Sequence, residues 1–148
     1  MEFGFSKEHA LLKQMYREFA ENEVKPLAAE VDEMERFPVE TVEKMVKAGF
    51  MGIPFPKKYG GEGGDNLGYA MAVEELSRVC GTTGVIVSAH TSLGAHPIFE
   101  FGTEEQKEKF LVPLAKGEKL GAFGLTEPNA GTDAAAQQTT AVLDGDEY

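Results

Sequence analysis

The sequence changes its pattern at residues 121–133, which read Gly-Ala-Phe-Gly-Leu-Thr-Glu-Pro-Asn-Ala-Gly-Thr-Asp. Before this stretch, apolar side chains recur every three or four residues, as they do on amphipathic helices. After it, β-branched residues and a turn dipeptide predict strands. The stretch, called the turn segment below, exposes backbone N–H groups that could bind a polar heterocycle or a pyrophosphate. An ordinary loop with an Asx-turn at Asn129 fits the composition equally well.

Residues 1–118 predict an all-helical domain. Ser6 is a good N-cap for the first helix, and Pro26 should end or kink that helix. Thr103 and Gln106 have the spacing of a capping box for the last helix. Pro113 should tighten or kink the final turn of that last helix.

Two further helices are predicted in the middle of this domain. The first runs from about Leu67 to Val79 and carries Glu75 on its polar side. The glycines at Gly81 and Gly84 should break it. The second covers Val85 to Leu93 and reads as a buried helix, although its first three residues alone would also fit a strand.

Residues 119–148 predict the first strands of a β-domain. Lys119 to Thr126 and Gln137 to Leu143 have strand-like composition, and Asp144-Gly145 is a strong hairpin signal. The second arm of that hairpin would begin at Glu147-Tyr148, where the sequence ends. We therefore expect a mostly α chain, with a complete helical domain at 1–118 and a truncated β-domain at 119–148.

The bulk composition restricts the class of protein. The chain has 148 residues, 42% of them hydrophobic, and a formal net charge of -11. This acidity argues against a nucleic-acid partner, since phosphate backbones need clustered lysine and arginine. Cys80 is the only cysteine, so an internal disulfide is excluded. Without a membrane-length apolar run or a targeting pattern, we expect a cytoplasmic protein that does not enter a membrane.

Most other candidate sites have an ordinary structural explanation. The three histidines, His9, His90 and His96, show no metal-ligand spacing with one another or with Cys80. His90 and His96 fit hydrogen-bonded core or pocket-wall residues better than catalysts. The glycines at 60–64 lack the context of a dinucleotide or phosphate loop. We expect no metal site, and no carboxylate stands out as a general base.

The turn segment resembles the flavin-binding signature of the acyl-CoA dehydrogenases. The resemblance extends over the whole chain through an ordered series of landmarks: Phe37-Pro38, Gly52-Ile53-Pro54, Tyr59-Gly60-Gly61, Glu74-Glu75-Leu76-Ser77, Thr91-Ser92-Leu93-Gly94 and Gly102 to Lys107. Within the family, the chain is most similar to the short-chain, butyryl-CoA type. One landmark alone would be weak evidence for the family, but the ordered series is strong evidence.

The resemblance implies a three-part, homotetrameric flavoenzyme whose N-terminal portion is this chain. Such an enzyme binds FAD in a cleft between its domains and removes a proton and a hydride from an acyl-CoA. The product is the trans-2-enoyl-CoA, and the reduced FAD passes its electrons to electron-transferring flavoprotein. The family's catalytic glutamate lies in a C-terminal domain that this sequence does not include. No catalytic residue is therefore assigned, and we expect the 148 residues alone to show no dehydrogenation.

The resemblance also assigns binding roles to residues of the turn segment. Phe123, Leu125 and Thr126 are expected to contact the flavin ring. Gly131 and Thr132 are expected near the FAD pyrophosphate or the pantetheine arm of the CoA substrate, which makes Thr132 a candidate substrate-binding residue as well. Phe123 stands where tyrosine is frequent in the family, so its ring can pack but supplies no phenol hydroxyl.

Two alternatives remain open from the sequence. An acyl-CoA oxidase, or another homologue with the same flavin site, would differ in how oxygen reaches the reduced flavin. A free-standing helical interaction module belongs to another class altogether. The unfinished hairpin at Asp144-Gly145 argues against such a module, since a complete domain should not end in half a hairpin.

Overall fold

A computed structural model describes residues 4–147, and the regular structure within them is helical. The α-helices are α1 (Lys7–Phe19), α2 (Lys25–Glu33), α3 (Val39–Lys47), α4 (Asn66–Val79), α5 (Gly81–Ser88), α6 (His96–Phe101), α7 (Glu104–Gln106) and α8 (Val112–Ala115). Three π-helical segments lie at Ala20–Val24, Ala89–Ala95 and Lys107–Leu111. Short 3-10 helices lie at Phe50–Gly52, Lys57–Tyr59 and Ala134–Ala136. The prediction of a mostly α chain is confirmed.

The helix ends follow the capping residues of the sequence. The Ser6 hydroxyl accepts the N–H of His9 at the start of α1, as predicted. At α7, Thr103 and Gln106 form the predicted capping box, in which each side chain accepts the other residue's backbone N–H. Gly49, with φ 78°, terminates α3 in the left-handed conformation that glycine adopts without strain.

Each π-helical segment ends two residues before a proline. The residue directly before the proline donates its N–H across five residues: Lys25 to Ala20, His96 to Thr91 and Val112 to Lys107. The widened turn gives the proline ring room against the preceding turn, so the helix continues. Pro26 therefore does not end the first helix, which runs on to Glu33 as α2. The turn before Pro113 is likewise widened, while the last turn after it closes with a bond of 2.8 Å from the Gly117 N–H to the Leu114 carbonyl, three residues back.

Two apolar clusters hold the helices together. The larger lies among α1, α3 and α4 and consists of Tyr16, Ala20, Val24, Val42, Met45, Phe50, Met51, Ile53, Met71, Ala72, Leu76 and Val87. The smaller joins the loop before α4 to α8 and consists of Phe55, Tyr59, Ala95, Leu111, Leu114 and Ala115. Since Ala95 ends the second π-helical segment, this segment is fixed against the smaller cluster.

Two details of the central helices differ from the sequence prediction. The break after α4 is at Cys80, whose backbone is extended, and Gly81 already begins α5. Glu75, expected on the polar side of α4, is 1% exposed. Its carboxylate accepts two hydrogen bonds from Arg17 on α1, of 3.0 and 2.9 Å, and one of 3.1 Å from Arg78. Burial is tolerated because both carboxylate oxygens are paired with cations.

The segment predicted to begin a β-domain forms no strand within the described residues. Neither Lys119 to Thr126 nor Gln137 to Leu143 pairs with a neighbour, and only isolated antiparallel bridges close two turns. A strand takes its hydrogen bonds from an adjacent strand, which residues 4–147 do not supply. The predicted turn at Asp144-Gly145 is present, with Gly145 at φ 69°. Tyr148, expected in the second arm, lies outside the described residues.

Within residues 4–147, none of the helices has the length and apolarity that a membrane crossing demands.

Candidate functional site

The start of the turn segment contacts the helical body, residues 7–117, at His90. This side chain lies in the π-helical segment Ala89–Ala95 and is 1% exposed. Its Nδ1 accepts the backbone N–H of Gly121 at 3.0 Å. Burial lowers the pKa of His90, while the carbonyl groups of Leu114 and Met51 act in the opposite direction. The prediction that His90 is a hydrogen-bonded core residue is confirmed.

The backbones of Gly94 and Gly121 touch at the same point. A Cβ atom added to Gly94 would lie 2.8 Å from the Cα of Gly121, and one added to Gly121 would lie 3.0 Å from the Cα of Gly94. A side chain at either position would push the turn segment away from the helix. Two glycines that are 27 residues apart in sequence (positions 94 and 121) thus permit the close approach.

A closed four-residue turn lies in the middle of the turn segment. Glu127 and Ala130 exchange backbone hydrogen bonds of 2.8 and 3.2 Å across Pro128 and Asn129. Ala130 is buried, with 3% of its surface exposed, which anchors the far end of the turn. The composition of the stretch predicts this turn, and proline is favoured at its second position.

The carboxylate of Glu127 holds the chain that follows the turn. It accepts the backbone N–H groups of Gln138 at 2.8 Å and Thr139 at 3.1 Å. Nearby, the side-chain amide of Gln137 donates to the carbonyl of Leu125 at 2.7 Å. Hydrogen bonding from Thr139 and from these N–H groups lowers the pKa of Glu127. The sequence reasoning missed this clasp, since its partners lie 11 and 12 residues along the chain.

The predicted flavin-contact residues lie together on the exposed run that leads into the turn. Phe123 and Leu125 are 54% and 37% exposed, and Thr126 is exposed as well. Within residues 4–147, the N–H groups of Leu125 and Thr126 donate to no protein acceptor. Free donors beside an exposed aromatic ring fit the acceptor-rich edge of a heterocycle such as flavin.

Gly131 and Thr132, the other predicted binding residues, lie on the far side of the closed turn. Gly131 is partly buried and Thr132 is exposed. The turn therefore places Thr126 and Gly131 at its two ends, directly outside the paired residues Glu127 and Ala130. This closed turn can therefore present both groups of predicted residues to a single elongated ligand.

The chemistry available in this site is binding and not proton transfer. Glu127 is occupied by two N–H donors and its pKa is lowered, so it is a poor base. Among residues 4–147, no cluster of three or more histidine, cysteine, aspartate or glutamate side chains could hold a metal ion. The arrangement can orient a ligand through backbone donors, and it offers no group poised to abstract a proton.

A hydrogen-bonded series elsewhere has the residue types of a hydrolytic triad. The Ser6 hydroxyl is 2.8 Å from Nδ1 of His9, and Nε2 of His9 is 2.9 Å from the carboxylate of Asp65. Ser6 also caps α1, and Asp65 caps α4 by accepting the N–H of Gly68. Both oxygen groups thus cap the N-termini of helices, and the series ties α1 to α4.

Comparisons with known proteins match the fold and the chain over most of its length. The acyl-CoA dehydrogenase N-terminal domain model matches residues 6–118. The short-chain specific acyl-CoA dehydrogenase of Clostridium acetobutylicum is 71% identical over all 148 residues, which are 39% of its length. The chain therefore spans about two-fifths of this relative.

Two solved structures share the fold. One, of the electron transferring flavoprotein of Acidaminococcus fermentans, matches 98% of this chain with 53% identity and a TM-score of 0.93, over 38% of the matched chain. The other is an acyl-CoA dehydrogenase of Bacillus anthracis complexed with FAD. It matches 95% of this chain and 24% of its own, with 39% identity and a TM-score of 0.88. The chain therefore belongs to the acyl-CoA dehydrogenase family.

Proposed function

We propose that this chain is the N-terminal part of a flavin-dependent acyl-CoA dehydrogenase. The complete enzyme oxidises a short-chain acyl-CoA, such as butyryl-CoA, to the trans-2-enoyl-CoA. The observation that carries this proposal is the turn segment, which presents the free N–H donors of Leu125 and Thr126 beside the exposed ring of Phe123 on the run that leads into the closed turn. The 71% identical Clostridium relative is a short-chain specific acyl-CoA dehydrogenase, which supports the short-chain substrate. The family match over residues 6–118 supports a helical domain at 1–118 and a second domain from 119.

FAD is the cofactor that fits the turn segment. The N–H groups of Leu125 and Thr126 would donate to acceptor atoms of the flavin ring, and Phe123 would pack against it. Across the closed turn, Gly131 and Thr132 would lie by the pyrophosphate or the pantetheine arm of the CoA substrate. Bound flavin supplies the chemistry of a hydride acceptor.

The residues of this chain orient the ligands but do not abstract the proton. A base for that step needs a carboxylate within hydrogen-bond reach of the substrate and a suitable pKa. Glu127 does not meet the second condition, because hydrogen bonds from Gln138 and Thr139 lower its pKa. We infer that the catalytic carboxylate comes from a part of the enzyme outside these 148 residues.

The proposal extends to partners. Electron-transferring flavoprotein would reoxidise the FAD, and the enzyme would assemble as a homotetramer in the cytoplasm. Large apolar side chains are exposed on several helices, among them Leu11 at 68%, Val85 at 64% and Phe101 at 89%. Surfaces of this kind support contact with further domains or subunits of the enzyme.

The experiment is an anaerobic titration of the full-length protein with butyryl-CoA. We expect the purified protein to contain FAD and to lose its oxidised-flavin absorbance as butyryl-CoA is added. The Thr126→Val variant should bind FAD more weakly, because a hydroxyl in the flavin site is removed. Thr140→Val, an equally exposed change outside the turn segment, should bind FAD as the wild type does. A full-length protein that neither contains flavin nor is reduced by butyryl-CoA would contradict the proposal.

A further inference from the structure

We propose that His90 is a positioning residue for the flavin site. Through the N–H of Gly121, its imidazole ring fixes the point from which the flavin-contact residues extend. This inference rests on the proposed function, since it assigns a role within the same FAD site. His90 is not one of the predicted flavin-contact residues, and it acts through the backbone of the turn segment by its hydrogen bond with Gly121.

The hydrogen bond to His90 is the last backbone anchor before the flavin residues. Two residues earlier, Lys119 donates its N–H to the carbonyl of Pro113 at 3.1 Å. After Gly121, no N–H of residues 122–126 bonds to a described protein group, although the Leu125 carbonyl accepts the side-chain amide of Gln137. On its N-terminal side, the run that carries Phe123 and Thr126 is therefore fixed at Gly121, whose N–H donates to His90.

The contact is directional as well as close. His90 and Gly94 are four residues apart in the π-helical segment, so they lie on one face and meet Gly121 together. The Gly94 backbone limits how near Gly121 can come, with an added Cβ only 2.8 Å from its Cα. The ring nitrogen sets where along the helix Gly121 rests. Together they define both the distance and the register of the turn segment.

The state of the ring agrees with this role. Because Nδ1 accepts a hydrogen bond, the neutral ring carries its proton on Nε2. Burial lowers the pKa of His90, so the ring is neutral at pH 7 and Nδ1 stays free to accept. A histidine kept only for packing would not need an acceptor at this position.

The test compares replacements that keep, move or remove the acceptor in the full-length flavoenzyme. His90→Asn places a carbonyl oxygen near the position of Nδ1, His90→Gln moves the acceptor outward by one methylene, and His90→Leu removes it. The measurements are the dissociation constant for FAD and the midpoint potential of the bound flavin, beside the thermal unfolding of each apoprotein. We expect His90→Leu and His90→Gln to weaken FAD binding about 10-fold and to shift the potential, and His90→Asn to stay within about threefold of the wild type.

Tyr59→Phe is the matched control. Tyr59 is 1% exposed, and its hydroxyl donates to the carboxylate of Glu104 at 2.8 Å, away from the turn segment. This change also deletes one hydrogen bond of a buried side chain. We expect it to lower the unfolding temperature without altering FAD affinity or flavin potential. If His90→Leu does not fold, His90→Gln against His90→Asn still decides, because both keep a polar side chain.

The outcomes separate the two proposals. A wild-type enzyme that binds FAD, with a His90→Leu or His90→Gln variant of unchanged affinity and potential, overturns the role of His90 alone. The same holds if these variants change only the unfolding temperature, as Tyr59→Phe is expected to do. A wild-type enzyme that binds no FAD overturns the proposed function, and the role of His90 with it.

Discussion

The helical body, residues 7–117, and the segment that follows it, residues 119–147, satisfy their backbones in opposite ways. In the helical body, N–H and carbonyl groups pair within helices, and two apolar clusters hold those helices together. In the following segment, nearly every residue is partly or fully exposed. It is held by two closed turns, the contact with His90 and the clasp of Glu127.

The difference shows where this chain depends on something else. A helix completes its hydrogen bonds locally, whereas an extended run needs a neighbouring strand, a ligand or solvent. The free N–H groups of Leu125 and Thr126 lie in the segment 119–147, whose backbone is only partly hydrogen-bonded. The proposed function therefore resides where the chain is least self-sufficient, and the helical body supplies the fixed points from which that region extends.

The same substitution in each region tests this contrast most strongly. Leu76 is 0% exposed in the larger cluster, and Leu143 is 57% exposed near the end of the chain. Leu76→Ala should lower the free energy of unfolding by about 2–5 kcal/mol, because it leaves a cavity among helices. Leu143→Ala should change it by less than about 0.5 kcal/mol. Urea denaturation of the two variants of this chain measures both values, and similar losses would refute the contrast.

A second pair of changes asks whether burial or charge decides the strength of an ion pair in the helical body. Glu75 is 1% exposed and paired with Arg17 and Arg78, while its neighbour Glu74 is 62% exposed and paired with Lys13. Glu75→Gln should lower the free energy of unfolding by about 1.5–3 kcal/mol, because the NH₂ group of the new amide would face the N–H donors of the arginines. Glu74→Gln should have little effect, because exposed pairs contribute little.

Urea denaturation and a salt series check this second prediction. Raising the salt concentration should weaken the contribution of Glu74 further and leave that of Glu75 nearly unchanged, because buried pairs are screened less. Equal losses of unfolding free energy for the two variants would mean that burial does not strengthen the pairing of Glu75 with Arg17 and Arg78.

The sequence predicts the features that depend on residues close together along the chain. The Ser6 cap and the capping box of Thr103 and Gln106 each act within four residues, and the structure confirms both. The closed turn after Thr126 is of the same kind, since Pro128 and its neighbours dictate it locally. These local signals predict the helix caps and the turn of the candidate site, whose binding role stays a prediction.

The features that sequence reasoning missed depend on distant partners. Glu75 reads as a surface residue until Arg17, 58 positions away, is brought beside it. His90 and Gly121 meet across 31 residues. The strands predicted after Lys119 require neighbours that the described chain does not contain. The π-helical turns were not predicted, because a proline within a helical pattern predicts a break. Widening the preceding turn by one residue lets the helix continue past the proline.

A smaller effect is expected at the junction between the two regions. Gly94→Ala should separate the π-helical segment from the turn segment, because the added Cβ would lie 2.8 Å from the Cα of Gly121. We expect a loss of about 1–2 kcal/mol in unfolding free energy and faster hydrogen exchange at the Gly121 amide. In Gly81→Ala, the added methyl meets no atom within 4 Å at the start of α5. That control should be neutral or slightly stabilising, since alanine favours helix more than glycine does.

The junction prediction fails if Gly94→Ala leaves the exchange of the Gly121 amide unchanged. In that case the two backbones could separate without disturbing the hydrogen bond to His90, and the close approach of the glycines would have no part in fixing the turn segment.

The weakest expected effect concerns the clasp of Glu127, which lies wholly within the less self-sufficient region. Hydrogen bonds from Thr139 and from the Gln138 and Thr139 N–H groups lower the pKa of Glu127 below its ordinary value of 4.5. The clasp is therefore fully formed above about pH 4.5 and is lost as the pH falls through the lower pKa of the folded state, where the carboxylate takes up a proton. Amide chemical shifts of Gln138 and Thr139, followed down this range, should move together with a single midpoint.

Glu127→Gln should place the same two amides near their low-pH shifts at pH 7, because the charged acceptor is gone, while the unfolding of the helical body stays unchanged. Asp133→Asn is the control, since Asp133 lies in the same turn segment but takes no part in the clasp. If Glu127→Gln lowered the stability of the helical body as well, the following segment would be an integral part of the fold. The contrast between the two regions would then have to be abandoned.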